Sequence, residues 1–408
     1  MPVSHTLKNL WPLFLGLFLI MVGNGLQGTL LGVRASIEEF STLTIGLIMS
    51  LYYGGFLAGS ILAPRLVKNV GHIRVFAAMA SLASAVTLLH GLFVDPWIWV
   101  FARVISGFSF AALYIVIESW LNDASTNNIR GKILGSYLLT FYIGMLVGQY
   151  MLYLAPADAI DLFVMISILI SCALLPVSLS RRPAPDFSAP EPIKIREVFQ
   201  ASPLGTTGVV LGGLGVGLLF SIGPVYALQI GMDIMQIPHF MAFLIIGGVF
   251  GPVPVGLLSD KFSRRTIIIG LSAGAFLSSL FCLLVSGNTY LLYFGLFCLG
   301  VTSLSIYGVC AAYAQDHMPR EKMVGTNALL ILLNGSASFV SPFLTSLFMV
   351  LLGPPAFLGF CAATFLALFL FALYRTSQSP GITLDEQSDM LAMPQRSTTI
   401  VAQIAEEE

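Results

Sequence analysis

Two charged side chains sit inside an apolar stretch, and they are the residues best placed to do chemistry in this chain. The stretch runs from Trp97 to Asp123 and contains Arg103 and Glu118. A charge near the middle of a bilayer costs roughly 2.5–3.5 kcal/mol on insertion scales, so such residues face a protein interior or a wet cavity. On a helix, Gly107, Tyr114 and Glu118 fall roughly 40°, 20° and 60° from Arg103. One face therefore combines a guanidinium, a small close-packing residue, a phenol and a carboxylate. Arg103 and Glu118 lie about 22 Å apart along such a helix and cannot pair directly. A carboxylate that alternates between wet and dry settings can carry a proton. The competing reading of Glu118 is structural, a bond to a nearby backbone group or loop cation. Arg103 reads either as a group for a substrate or an outer gate, or as an arginine bonded to carbonyls.

Asn24 and Gln27 stand one turn apart in the first apolar run, among Gly23, Gly25 and Gly28. Their amides suit a ligand or a neighbouring helix equally. Tyr52, Tyr53, Tyr137, Tyr142 and Tyr150 suit a cavity lining or an interfacial belt. Pro224, between Ser221 and Tyr226, marks a kink or break in its span. The chain has no phosphate-binding glycine loop, nucleophile elbow or metal-ligand spacing, so no catalytic residue, cofactor or metal is expected. Five cysteines, all in apolar runs, read as small core residues.

The elements that must position these groups follow from composition. Of 408 residues, 57% are hydrophobic and 10% charged, and mean hydropathy is +0.90, which excludes a soluble globular domain. A net charge of −1 gives no reason to expect a nucleic-acid partner. The apolar runs divide into twelve spans, each long enough for a hydrocarbon core of about 30 Å. They are placed at 9–32, 43–63, 75–94, 97–121, 133–154, 160–180, 205–228, 237–258, 266–286, 289–313, 323–350 and 354–374. Residues 1–180 and 204–375 then form two six-helix bundles. The Pro-rich, charged stretch 181–203 is the linker between them, with a short amphipathic helix near its end. Residues 376–408 form a polar tail expected to be disordered. Lys and Arg fall in alternate loops, which predicts cytoplasmic termini and a cytoplasmic linker.

The two halves repeat. Gly107, Tyr114 and Asp123 recur as Gly300, Tyr307 and Asp316, but Leu296 and Ala311 stand where the first half has Arg103 and Glu118. Tyr307 joins the candidate pathway residues on that ground. Duplicated halves around a midplane site are the layout of a secondary transporter.

The loop GLLSDKFSRR, Gly256 to Arg265, resembles the signature loop of the major facilitator superfamily. Gly256, Asp260, Lys261, Arg264 and Arg265 match it, and Ser263 replaces its second glycine. The first-half loop PRLVKNVGHIR keeps Gly71 and Arg74 but has Lys68 in place of the aspartate. Arg103, Gly107 and Ala111 match a second family pattern, whose arginine is associated in proton-coupled members with substrate binding or proton transfer. The antiporter pattern is half present: Gly144 and Gly148 fit, while Gln149 replaces the proline. VGHIR and ESWLN are similar to the YcaD-like bacterial branch. The resemblance covers about residues 8–375. It implies an all-α membrane protein of twelve helices in two pseudo-symmetric bundles, monomeric and multi-pass in a bacterial inner membrane. It implies a non-enzymatic transporter that moves a small molecule by alternating access with proton coupling. A non-transporting receptor or an uncoupled facilitator on the same scaffold is the alternative. Asp260 is expected to cap the start of span five near Gly131, because a carboxylate is favoured at a helix N-terminus.

Overall fold

The computed structural model describes residues 10–123, 130–178, 193–259 and 261–378. Among them there are helices and loops and no strand. In chain order, the first unit contains α1 Trp11–Ile37, α2 Thr42–Val70, α3 His72–Leu92, α4 Pro96–Asp123, α5 Arg130–Tyr150 and α6 Asp161–Ser178. The second contains α7 Ile195–Ala201, α8 Pro203–Gln229, α9 Ile237–Phe250, α10 Pro252–Ser259, α11 Arg264–Leu284, α12 Thr289–Gln315, α13 Met323–Leu352 and α14 Ala356–Gln378. The two units are compact, and over the described residues they are 10–178 and 193–378. Twelve helical segments are long and apolar enough to cross a membrane, with α9 and α10 together forming one of them.

The helix boundaries have local causes. The Ser41 hydroxyl accepts from the Thr44 N–H at 3.1 Å and starts α2. Asp95 accepts from the Trp97 and Ile98 N–H groups at the head of α4. Gly71 separates α2 from α3 at φ 94°, in the left-handed region where a Cβ is penalised. The eighth span breaks at Gly251, just before Pro252, which has no N–H to continue the ladder. Pro224, by contrast, lies inside α8, which continues to Gln229.

Packing repeats between the units. In the first, α4 packs on α2 and α3, and α1 on α5 and α6, with α3 also on α6. In the second, α12 packs on α9 and α11, and α8 on α13 and α14, with α11 also on α14. Glycines set the close crossings in both. A Cβ added at Gly107 would stand 1.9 Å from the Tyr52 carbonyl oxygen, and one at Gly59 would stand 2.7 Å from that of Phe108. The equivalents in the second unit are Gly300 against the Leu244 carbonyl and Gly251 against that of Val301. Between apolar helices in lipid, close backbone packing replaces the hydrophobic driving force, and small residues make it possible.

Candidate functional site

The candidate site of the first unit is built on α4. Arg103 is 4% exposed, and Tyr114 and Glu118 are fully buried. Gly107 lets α2 approach so closely that the Tyr52 ring comes under Arg103, with the guanidinium carbon 4.1 Å from the ring centroid. That is a cation–π distance, strengthened by exclusion of water.

About three turns further along the face from Arg103, the Asn24 side-chain amide on α1 donates to the Tyr114 hydroxyl at 2.8 Å. That hydroxyl also points at the Met21 sulfur at 3.8 Å. Gln27 turns the other way and donates to Thr87 on α3 at 3.0 Å. The two amides of span one therefore serve different neighbours. At the far end of α4, the Tyr137 hydroxyl on α5 donates to Glu118 Oε1 at 2.5 Å. Aromatic rings connect these points. Tyr52 neighbours Phe110, Phe110 neighbours Tyr114, Tyr114 neighbours Phe141, and Phe141 neighbours Tyr137, with centroids 6.2–6.3 Å apart at each step.

Helical periodicity relates Arg103, Tyr114 and Glu118 on one face, and Asn24 is a candidate by its place in span one. Neither Tyr137 as the partner of Glu118 nor Tyr52 as that of Arg103 is legible in the sequence, where their only signal is being tyrosines within apolar spans. Gln149 reads there only as a departure from a pattern. In the structure Gln149 ties α5 to α1: it accepts from Thr29 at 2.5 Å and donates to the Gly25 carbonyl at 3.0 Å. Gly25 and Gly148 bring the two backbones close enough for both bonds. Tyr307 is fully buried on α12 of the second unit. Among the described residues no group of His, Cys, Asp or Glu could hold a metal.

The signature loop is placed in part, because Asp260 lies outside the described residues. Gly256 is on α10, where an added Cβ would meet nothing within 4 Å. Lys261 is exposed. Ser263 caps α11, and its hydroxyl accepts from the Thr266 N–H. That is the work a serine can do where the family pattern has glycine. Arg264, fully buried, forms an ion pair with Asp316 at the end of α12 and donates to the Ala312 carbonyl. Arg265 donates to the Tyr313 hydroxyl at 3.0 Å. These bonds tie the start of α11 to the end of α12.

In the first unit Gly71 occupies the cap position and His72 follows it, as Arg264 follows Ser263. His72 shares a hydrogen bond of 2.8 Å with Ser119 on α4 and lies over Trp120 at 5.4 Å. Arg74, the cation expected from the motif, is exposed. The polar group that ties the start of α3 to α4 is the histidine directly after the cap.

Comparison with known proteins agrees with this architecture. The family model described as Major Facilitator Superfamily matches residues 13–342 and 246–392. An uncharacterised MFS-type transporter of Enterobacter sp. (strain 638) is 27% identical over 339 residues, covering 83% of this chain and 88% of the relative. The uncharacterised MFS-type transporter YcaD of Escherichia fergusonii is 26% identical over 336 residues, covering 82% and 87%. Among solved structures, the nucleoside transporter NupG superposes with a TM-score of 0.75 at 11% identity, over 92% of this chain and 99% of that one. A bacterial homolog of the human lysosomal transporter Spinster, inward-facing and unoccupied, superposes with a TM-score of 0.69 at 14% identity, over 92% and 96%. At those identities the structural likeness speaks to fold alone. With twelve spans, a repeated helix packing and a family match over most of its length, this chain belongs to the major facilitator superfamily of membrane transporters.

Proposed function

We propose that this protein is a secondary active transporter of a bacterial inner membrane, with both termini cytoplasmic. In this reading it works as a monomer by alternating access and couples solute movement to protons through Glu118. The observation that carries the proposal is the buried pair on α4 and α5, in which Glu118 accepts from the Tyr137 hydroxyl at 2.5 Å. A carboxylate is costly inside a membrane span and is characteristic of proton relays there. Arg103, Tyr114 and Asn24 supply a cation, a phenol and an amide for a small solute. The sparse charge of this face favours a neutral, amphipathic or singly charged one. Arg264 and Arg265, with the rest of the signature loop and its first-half counterpart at Gly71 and Arg74, take the gating role.

The test is Glu118→Gln in proteoliposomes, using a solute found by a thermal-shift screen of the purified protein. Coupling through Glu118 gives loss of pH-gradient-driven accumulation with solute exchange retained. Wild-type accumulation by well-folded E118Q protein would refute the assignment.

A further inference from the structure

The short helix α7 lies outside the site proposed above. We infer that α7 binds the headgroup region of an anionic phospholipid leaflet. On this seven-residue helix Val198 is fully buried, while Ile195 is 52% and Phe199 47% exposed. On a helical projection Ile195 and Phe199 stand about 40° apart. Val198 lies about 60° to one side, and Arg196 and Gln200 begin about 60° beyond Phe199 on the other. The helix therefore has three strips in order: a buried anchor, an exposed apolar edge, and a polar edge led by a cation.

α7 is held in place. It packs on the start of α8, and Glu197 forms an ion pair with Lys322 in the 3-10 turn Arg320–Lys322 that precedes α13. That pair neutralises its own two charges. Lys194 and Arg196 remain exposed, and no described carboxylate pairs with either. An apolar strip with Arg196 along its border and Lys194 at the helix start, beside the first residues of a spanning helix, is the pattern of an interfacial helix that seats its apolar edge at the acyl boundary. Its cations then meet lipid phosphates, and their charge decides the choice of lipid. Each basic residue at an anionic surface contributes about a five-fold preference at low salt, and that preference weakens as the Debye length shortens.

The experiment uses the full chain in nanodiscs, with Cys172 and Cys298 replaced by serine and a nitroxide on Phe199→Cys or on Gln200→Cys. In phosphatidylglycerol discs the label at 199 is expected to be reached by oxygen and shielded from a water-soluble nickel chelate, with the reverse at 200. Replacing the lipid with phosphatidylcholine, or introducing Lys194→Gln with Arg196→Gln, is expected to lower the shielding at 199 several-fold. Chelate access at 199 in phosphatidylglycerol discs overturns the inference. So does equal shielding in both lipids, which would mean apolar insertion without headgroup choice. Where F199C does not give folded protein, Ile195→Cys carries the label on the same edge. No solute enters the measurement, so its outcome is independent of the transport assignment.

Discussion

Gly107→Ala tests how the structure positions Arg103. The added methyl would stand 1.9 Å from the Tyr52 carbonyl oxygen, whereas real Cβ contacts essentially never fall under 3.0 Å. The obstructing atom is backbone, so no rotamer change relieves it, and α2 and α4 must separate by about 1.1 Å along that contact. The Arg103–Tyr52 contact at 4.1 Å spans the same crossing and opens with it. Overpacking of this kind costs about 1–3 kcal/mol. Alanine also returns about 0.8–1 kcal/mol of helix propensity. The matched control is Gly135→Ala on α5, where the added Cβ meets nothing within 4 Å and only the propensity gain applies. The difference between the two variants therefore isolates the packing cost. The assay is the apparent melting temperature in detergent, read by fluorescence-detected size exclusion after heating. G107A is expected to melt several degrees below G135A. Gly300→Ala, which meets the Leu244 carbonyl at the equivalent crossing, is expected to do the same. If G107A melts at or above G135A, the close crossing of α2 and α4 is not as described and the cation–π geometry built on it fails.

Three further outcomes are expected. Arg264→Leu leaves Asp316 buried without its cation and lowers stability by about 3–5 kcal/mol, while Arg264→Leu with Asp316→Leu recovers much of the loss; equal melting of the single and double variants argues against the pair. Gln149→Leu removes the bonds to Thr29 and Gly25, and membrane hydrogen bonds average about 0.6 kcal/mol each, so a loss of about 1 kcal/mol is expected in the same melting assay. An unchanged melt would show that the glycine contacts alone hold α1 to α5. In intact cells, an impermeant thiol reagent is expected to label Asn288→Cys and not Lys194→Cys; the opposite pattern reverses the proposed topology.

Much of the architecture is legible in the residues alone. A backbone in lipid must satisfy its own hydrogen bonds, so a long apolar run has essentially one local solution, the helix. Twelve runs, their alternating loop charges and the repeated Gly–Tyr–Asp spacing therefore imply two six-helix halves. The same reasoning puts Arg103, Tyr114 and Glu118 on one face, because helical periodicity relates residues within a single element. Periodicity says nothing about which neighbour that face meets. Glu118 finds Tyr137 on α5, Arg103 finds Tyr52 on α2, and Asn24 reaches Tyr114 while Gln27, one turn away, reaches Thr87. The motif names Gly71 and Arg74 and not His72, whose bond to Ser119 on α4 shows only once the two helices are seen side by side. Gln149 is legible only as an absent proline until α1 is seen beside it. In each case the partner depends on the rotation and crossing of two helices. Those are set by where glycines on one helix let the backbone of another approach, and the two helices are remote from each other in sequence.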